Sequence, residues 1–452
     1  MATQRTLSTN YFWTWDHSTN WVLDDPGLQD FGCSNLYLKK PETYVEDYRR
    51  LTDRAARDGI GGILIWGFVR DSHGGVPAAQ EVARYAASRG VRIMPGLGTT
   101  AYGGAYYEGE HEFNQKTFLA AHPDCAHVSK EGEKTNCLCP THPDVIDWMK
   151  RGAEWLMETF EIGGVNLENG DFLTCYCDRC RERRSQLSPG EPAYFQDQLA
   201  GYAPCMEALA SYLDERWITY ATYAGFNTRS VESDAPHGTD GMGSHAPLFV
   251  EALPPEAICQ WTLTGMVRPE PLPLNAYLDD GAPEAVYDNP NWPRGLRPPT
   301  RRSAGFLHQG SQWRDSRYKI IISVLKEGCL RAAEEGLEGI SIHGEMTDRY
   351  IPWWLNYQAF SHFTARPRDT LREFADARLA PVLGSEKRGQ MFIELLAEWD
   401  SGKDATETAR AFHGEFAGQH VLDHDWLPVH NLWTWLHRVV MQPDERVTRS
   451  FL

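Results

Sequence analysis

Short runs rich in β-branched and aromatic residues alternate along this chain with longer stretches whose apolar positions recur every three or four residues, the pattern of strands alternating with helices. Eight runs read as strands: Tyr11–Asp16, Gly62–Gly67, Val91–Gly96, Gly164–Glu168, Trp217–Tyr223, Ile258–Thr264, Ala304–His308 and Gly339–His343. Between the first two, Pro41 opens a helix, Tyr44, Tyr48, Leu51 and Ala55 share one face, and Gly59 ends it. PAAQEVARYAASRG repeats the plan before the third strand. Asp144 to Phe160 does so before the fourth, with Val145, Trp148, Met149, Leu156 and Phe160 on its apolar face. Eight such units close into a (β/α)8 barrel more naturally than they spread into a doubly wound open sheet. From about Ala365 only helical patterns follow, so 1–364 is expected to form the barrel and 365–452 a helical C-terminal region packed on it. That appendage offers a surface for a homodimer contact.

Three connections on the expected catalytic face are long: Thr99–Pro140, Asn227–Pro255 and the Pro-rich Met266–Ser303. Such loops in a compact domain serve as lids or binding walls. The balance of 44 basic against 62 acidic side chains, a formal charge of −18, with no dense Lys/Arg stripe, argues against nucleic acid and anionic membranes as partners. No apolar run approaches a membrane span, and MATQRTLSTN lacks the features of a secretory signal, which gives a cytoplasmic expectation. Sixteen Trp among 452 residues is a high load. Aromatic faces bury the C–H faces of sugars, although large side chains filling a large core explain any single Trp as well.

The densest chemistry lies in GGVNLENGDFLTCYCDRC, Gly163 to Cys180, where a strand ends in carboxylates and runs into a Cys-x-Cys-x-x-Cys cluster. Cys175, Cys177 and Cys180 have the spacing of tetrahedral zinc ligands, and a fourth thiolate comes from Cys125, Cys137 or Cys139, of which Cys139 is favoured. Four thiolates leave no open position, so the zinc is expected to be structural, with no cofactor for chemistry; free loop thiols are the plain alternative. Glu168 and Asp171 flank the end of the fourth strand, where a partly desolvated carboxylate can donate a proton or act as nucleophile. Asp16 ends the first strand beside Trp15, in surroundings that favour a protonated acid. His142 lies in CPTHPDV, where Thr141 and Asp144 have capping-box spacing and Pro143 opens a helix, so the imidazole is expected to face the catalytic end. Glu345 and Arg349 follow the eighth strand with Asn356 beyond; His308, Trp313, Arg314 and Arg317 follow the seventh; Arg70 follows the second. Guanidinium forks at strand ends suit a substrate carboxylate, and surface ion pairs account for single arginines equally well.

The ENGDF and CYCDRC segments resemble the zinc-bearing barrel of glycoside hydrolase family 42 β-galactosidases, in which an acid/base Glu on the fourth strand precedes a CxCxxC cluster. That resemblance implies a retaining hydrolase using Glu168 and Glu345. Over more of the chain, an Asp ending strand one, a His before the third helix and an Asn after strand eight are similar to the inverting exo-sialidases of glycoside hydrolase family 156. This second resemblance, which is preferred, implies that Asp16 and His142 share the acid and base roles, that Asn356 contacts substrate, and that the substrate is a sialoglycan. The strand-end arginines would then meet its carboxylate and the Trp residues would wall in the sugar. Outside these readings stand a non-catalytic glycan-binding barrel and a zinc-dependent lyase or deacetylase, since barrels host many chemistries.

Overall fold

The structure is a computed structural model that describes residues 7–15, 40–169, 174–186, 193–222, 225–226, 252–268, 270–307, 320–343 and 351–417. Its strands, in chain order, are β1 (Thr9–Trp15), β2 (Gly62–Trp66), β3 (Arg92–Gly98), β4 (Ala126–Val128), β5 (Lys134–Leu138), β6 (Gly164–Glu168), β7 (Trp217–Ala221), β8 (Ile258–Thr262), β9 (Ser303–Leu307) and β10 (Gly339–His343). All but β4 and β5 form one closed parallel barrel in which chain order is spatial order, β10 closing on β1. The eight runs expected from the hydrophobic pattern are these eight strands.

Alternation along β1 builds two cores at once. Tyr11, Trp13 and Trp15 point into the barrel and meet Leu64, Trp66, Met94, Ile258, Ala304 and Phe306. Phe12 faces outward and joins Ile63, Ile65 and the apolar faces of the helices. Closure needs close backbone approach: opposite Thr9 in the register stands Gly339, where a Cβ would lie 1.8 Å from the Thr9 carbonyl oxygen. Below the aromatic layer Tyr11 Oη donates to Gln260 Oε1 at 2.8 Å, and Asn166 Nδ2 reaches Thr219 Oγ1 at 2.7 Å and Gln260 Oε1 at 3.0 Å. A buried polar belt therefore has partners across four strands, β1, β6, β7 and β8.

Helix α1 (Pro41–Asp58) begins with Pro41 in its first turn, buries Tyr44, Tyr48, Leu51 and Ala55, and ends at Gly59 with φ +75°, as its sequence implies. Helix α2 (Gly75–Ser88) leads into β3. The expected loop between Thr99 and Pro140 carries helix α3 (Gln115–Ala121) and the antiparallel hairpin β4–β5. Helix α4 (Pro143–Thr159) follows, and here the capping assignment needs correction. The N-cap is His142, whose Nδ1 accepts the Asp144 N–H at 3.3 Å, because Pro143 occupies the first helical position. The Thr141 hydroxyl is engaged elsewhere, 3.0 Å from Cys180 Sγ. Helices α5 (Asp178–Ser185) and α6 (Ala193–Ala208) lie between β6 and β7.

After β10 the described chain is helical: Ile351–Ala365, Leu371–Phe374, the π-helical turn Ala375–Leu379, Ala380–Leu383, Glu386–Asp400 and Thr406–Gly414. This segment is tied to the barrel by an Arg378–Asp58 ion pair of 3.2 Å to α1 and by Asp400, whose Oδ2 accepts the Leu274 N–H at 2.6 Å. No helix among the described residues is long and apolar enough to cross a membrane.

Candidate active site and thiolate cluster

In this topology the C-terminal ends of the strands form one open face, the end at which (β/α)8 barrels hold their chemistry. The side of that face built by β1, β2 and β10 is aromatic. Trp13 packs on Trp15 at 5.6 Å and on the His343 ring at 4.5 Å, and Trp15 packs on Trp66 at 5.7 Å between ring centroids. Tyr102 and Tyr107, half-buried on the loop after β3, extend this wall: Tyr102 lies 5.9 Å from Trp15 and 5.4 Å from Trp66, and Tyr107 lies 6.3 Å from Trp15. Tyr102 has φ +55°, in the left-handed region that a tyrosine adopts only under local constraint.

The β6 side is polar. Glu168 ends β6 on the same inward alternation as Asn166, and only 2% of it is exposed. Its register partner on β3 is Gly98, and that of Asn166 is Gly96, so no β3 side chain competes for this part of the interior. The Trp66 ring takes the room that Gly96 leaves; a Cβ there would lie 2.4 Å from it. Next to Glu168, Asn169 Oδ1 accepts hydrogen bonds from the hydroxyls of Thr99, at 3.1 Å, and Thr100. Thr99 N–H also donates to the Glu168 carbonyl at 2.9 Å, which fixes the end of β6 against the β3 loop.

His142 opens α4, and because α4 runs back against the strands its N-terminus lies at this same end of the barrel. Its Nδ1 is 3.4 Å from Cys125 Sγ and its Nε2 is 3.6 Å from Asp124 Oδ2, with Asp144 Oδ2 3.9 Å from Nδ1. The imidazole is thus clasped by a thiol and two carboxylates of its own loop. Burial pushes the Cys125 thiol up to about 11, so this partner stays protonated.

Arg70 stacks on Tyr107 at 4.6 Å, and its guanidinium is 3.0 Å from Glu108; the carboxylate it holds here is the protein's own. Asn356 is fully buried in the helix after β10, and its Oδ1 accepts the Ile321 N–H at 2.8 Å. Trp15 belongs to the aromatic wall. Asp16, Asp171, His308, Trp313, Arg314, Arg317, Glu345 and Arg349 lie outside the described residues.

The structure brings Cys139, Cys175, Cys177 and Cys180 together, their sulfurs all within 4.8 Å of one another. Cys139 Sγ is 3.6 Å from Cys177 Sγ and 3.5 Å from Cys180 Sγ. Zinc–thiolate bonds of about 2.3 Å give a tetrahedral edge of about 3.8 Å, so these spacings fit one ion. Amide N–H groups point at two of the sulfurs, Val128 N to Cys175 at 3.5 Å and Cys180 N to Cys177 at 3.4 Å. Hydrogen bonds from Cys175 and Cys180 push the Cys139 thiol down, and the contact with Cys139 pushes Cys175 and Cys180 up. Behind the cluster stands a pair that the sequence reading missed. Fully buried Asp197 accepts the Cys175 N–H at 2.8 Å and is gripped by Arg184 at 2.7 and 2.8 Å, while Arg184 also donates to the Cys175 carbonyl at 2.7 Å. Burial outweighs Arg184 and pushes Asp197 up to about 6.

Also missed were Trp66, Tyr102 and Tyr107; the signal for the tyrosines was TTAYGGAYY, aromatic and glycine-rich directly after the third strand. Fold and site together define a (β/α)8 barrel with an aromatic wall facing an inward carboxylate, its β3 and β6 loops joined by a four-cysteine cluster. No protein-family model matches the chain, and no curated protein matches it in sequence. Among solved structures, the fold is similar to that of a GH138 enzyme targeting pectin rhamnogalacturonan II, with a TM-score of 0.50 and 11% identity over 90% of this chain. This chain spans 45% of that protein's length. An inactive mutant of the GH20 exo-β-N-acetylglucosaminidase of Vibrio harveyi aligns with a TM-score of 0.45 at 11% identity, over 87% of this chain and 59% of that one. At these identities the likeness shows the barrel fold, and it rests on the first of the two.

Proposed function

We propose that this protein is a glycoside hydrolase. The observation that carries the reading is the composition of the barrel mouth, where the buried carboxylate of Glu168 shares one open face with Trp13, Trp15, Trp66, Tyr102 and Tyr107. Aromatic faces suit the C–H faces of a sugar, and a desolvated carboxyl suits proton transfer to a glycosidic oxygen. The GH138 structure of similar fold is named as an enzyme targeting pectin rhamnogalacturonan II, in keeping with this class.

Within that class the reading is an exo-sialidase that releases terminal sialic acid with inversion. Asp16 directly follows Trp15, the last residue of β1, in the sequence, and is assigned here as the acid. In the proposed step Asp16 gives a proton to the departing oxygen as the glycosidic bond breaks. Water attacks the opposite face of the anomeric carbon, its proton passing to His142 or to a water that His142 orients. Asp124 and Asp144 beside the ring would stabilise the cation that forms. Arg314, Arg317 and Arg349 are assigned to the sialic acid carboxylate. The inward position of Glu168 favours a second reading, a retaining β-galactosidase-like enzyme with Glu168 and Glu345 as its pair.

Kinetics on two sialosides separate the readings. If Asp16 is the acid, Asp16→Ala costs far more on sialyllactose than on a fluorogenic aryl sialoside, whose leaving group departs without a proton. Activity on an aryl β-galactoside, lost in Glu168→Gln, with none on either sialoside, would move the assignment to the second reading.

A further inference from the structure

The glycosidase reading leaves the cysteine cluster without a task, yet the cluster touches the loop that carries His142. Cys139 is three residues before His142, and its carbonyl accepts the His142 N–H at 3.2 Å. Thr141, between them, places its hydroxyl 3.0 Å from Cys180 Sγ and 3.4 Å from Cys139 Sγ. The Cys139 N–H donates to the Cys125 carbonyl at 2.9 Å, and the Cys125 thiol meets His142 Nδ1 at 3.4 Å. These contacts link the backbone and sulfur of Cys139, and the sulfur of Cys180, to the loop that carries His142.

We propose that Cys139, Cys175, Cys177 and Cys180 bind one zinc ion, and that this ion fixes the position of His142 at the barrel mouth through Cys139, Thr141 and Cys125. Four sulfurs complete the tetrahedron, so the site has no open position for water or substrate and its contribution is geometric. The sulfurs are 3.5–3.6 Å apart where measured to Cys139, whereas a disulfide needs about 2.05 Å. Arg184 on α5, anchored by Asp197, donates to the Cys175 carbonyl and so holds the backbone of that ligand in place. The ion would clamp the hairpin side of the β3 loop, through Cys139, to the β6 loop, through the other three. The assignment of the ion is independent of the glycosidase reading; only the value of His142 as a catalytic group rests on it.

The test uses the full chain and no substrate. Protein purified without added metal is expected to contain one zinc per chain by plasma mass spectrometry, and Cys180→Ser to contain almost none. Cobalt(II) exchanged into the site should give the charge-transfer bands of a tetrahedral tetrathiolate. For the coupling, ε1-13C-histidine NMR reads the ring directly, with the His142 signal assigned from His142→Gln. Removal of zinc should shift that signal and leave those of histidines remote from the cluster in place. Thr141→Val covers the case in which Cys180→Ser fails to fold: it should keep its zinc and still move the His142 signal. Reduced thiols with no metal, disulfides among the four cysteines, or iron in place of zinc would each overturn the site. Zinc loss that leaves the His142 signal unmoved, with circular dichroism showing the fold retained, would overturn the coupling. Absence of glycosidase activity alters none of these readouts, so the two proposals fail separately.

Discussion

Lys326 offers a stability measurement whose sign reverses with pH. It is fully buried in the helix Ile322–Glu335, its ammonium 4.7 Å from the Phe363 ring centroid and donating to the Pro367 carbonyl. Burial drives its pKa from 10.5 down to about 7, with Cys329, Asp369 and Glu373 pulling weakly the other way. The folded-state value lies below the unfolded one. Between about 7 and 10.5 the unfolded chain therefore binds more protons, and the contribution of this group to stability rises with pH. Below pH 7 both states carry the proton, and the full cost of burying an ammonium is present. The gap between 10.5 and about 7 corresponds to on the order of 5 kcal/mol, at about 1.4 kcal/mol per pH unit. Lys326→Met keeps the stem's packing, removes the charge, and strands the Pro367 carbonyl at a cost of about 1–3 kcal/mol. At pH 6.5 the variant should thus unfold at a higher urea concentration than the wild type, by roughly 2 kcal/mol or more in stability. The advantage should shrink as the pH rises and turn into a small deficit near pH 10, where the buried lysine is neutral and its hydrogen bond remains. Urea unfolding followed by tryptophan fluorescence at several pH values measures the difference. A wild-type-minus-variant difference that stays constant across this range, or that favours the variant more at high pH, would refute the reasoning.

Other expectations concern the barrel and the cluster. Gly96→Ala drives a methyl group into the Trp66 ring and should cost about 1–3 kcal/mol in urea unfolding, with a shifted tryptophan emission in the native state. Asp197→Asn removes the charge that Arg184 grips behind Cys175, and competition with a chelator should show zinc held about 10- to 100-fold more weakly. Asn356→Ala leaves the buried Ile321 N–H without its acceptor and should lower stability by about 1–3 kcal/mol with KM for a sialoside unchanged. A raised KM at unchanged stability would instead give this amide to the substrate.

The barrel was legible because its strands are short apolar runs and its helices carry one apolar face, and the burial of Tyr44, Tyr48, Leu51 and Ala55 follows directly from their spacing. The hairpin β4–β5 was not: its strands are three and five residues long, and much of Lys134–Leu138 faces solvent, so no alternation marks them. The convergence of Cys175, Cys177 and Cys180 could be read from their spacing, whereas Cys139 reaches them from the β3 loop, a contact that spacing does not encode. The cap of α4 was misread from the capping-box spacing of Thr141-x-x-Asp144, since Pro143 at the first helical position makes His142 the cap and the Thr141 hydroxyl lies against Cys180 Sγ instead. Arg70 illustrates the same limit: residue type and strand end suggested a substrate carboxylate, whereas Glu108, from the loop after a different strand, reaches its guanidinium. Local chemistry is written in local sequence, and partners supplied by another loop are not.

Proton NMR of the first sugar released from α-sialyllactose, run on the wild type and on Asp16→Ala, tests the central claim most directly. The account requires β-sialic acid to appear first in the wild type, before mutarotation, and its release to collapse in the variant. Release of α-sialic acid first, or β-sialic acid at an undiminished rate from Asp16→Ala, would contradict it.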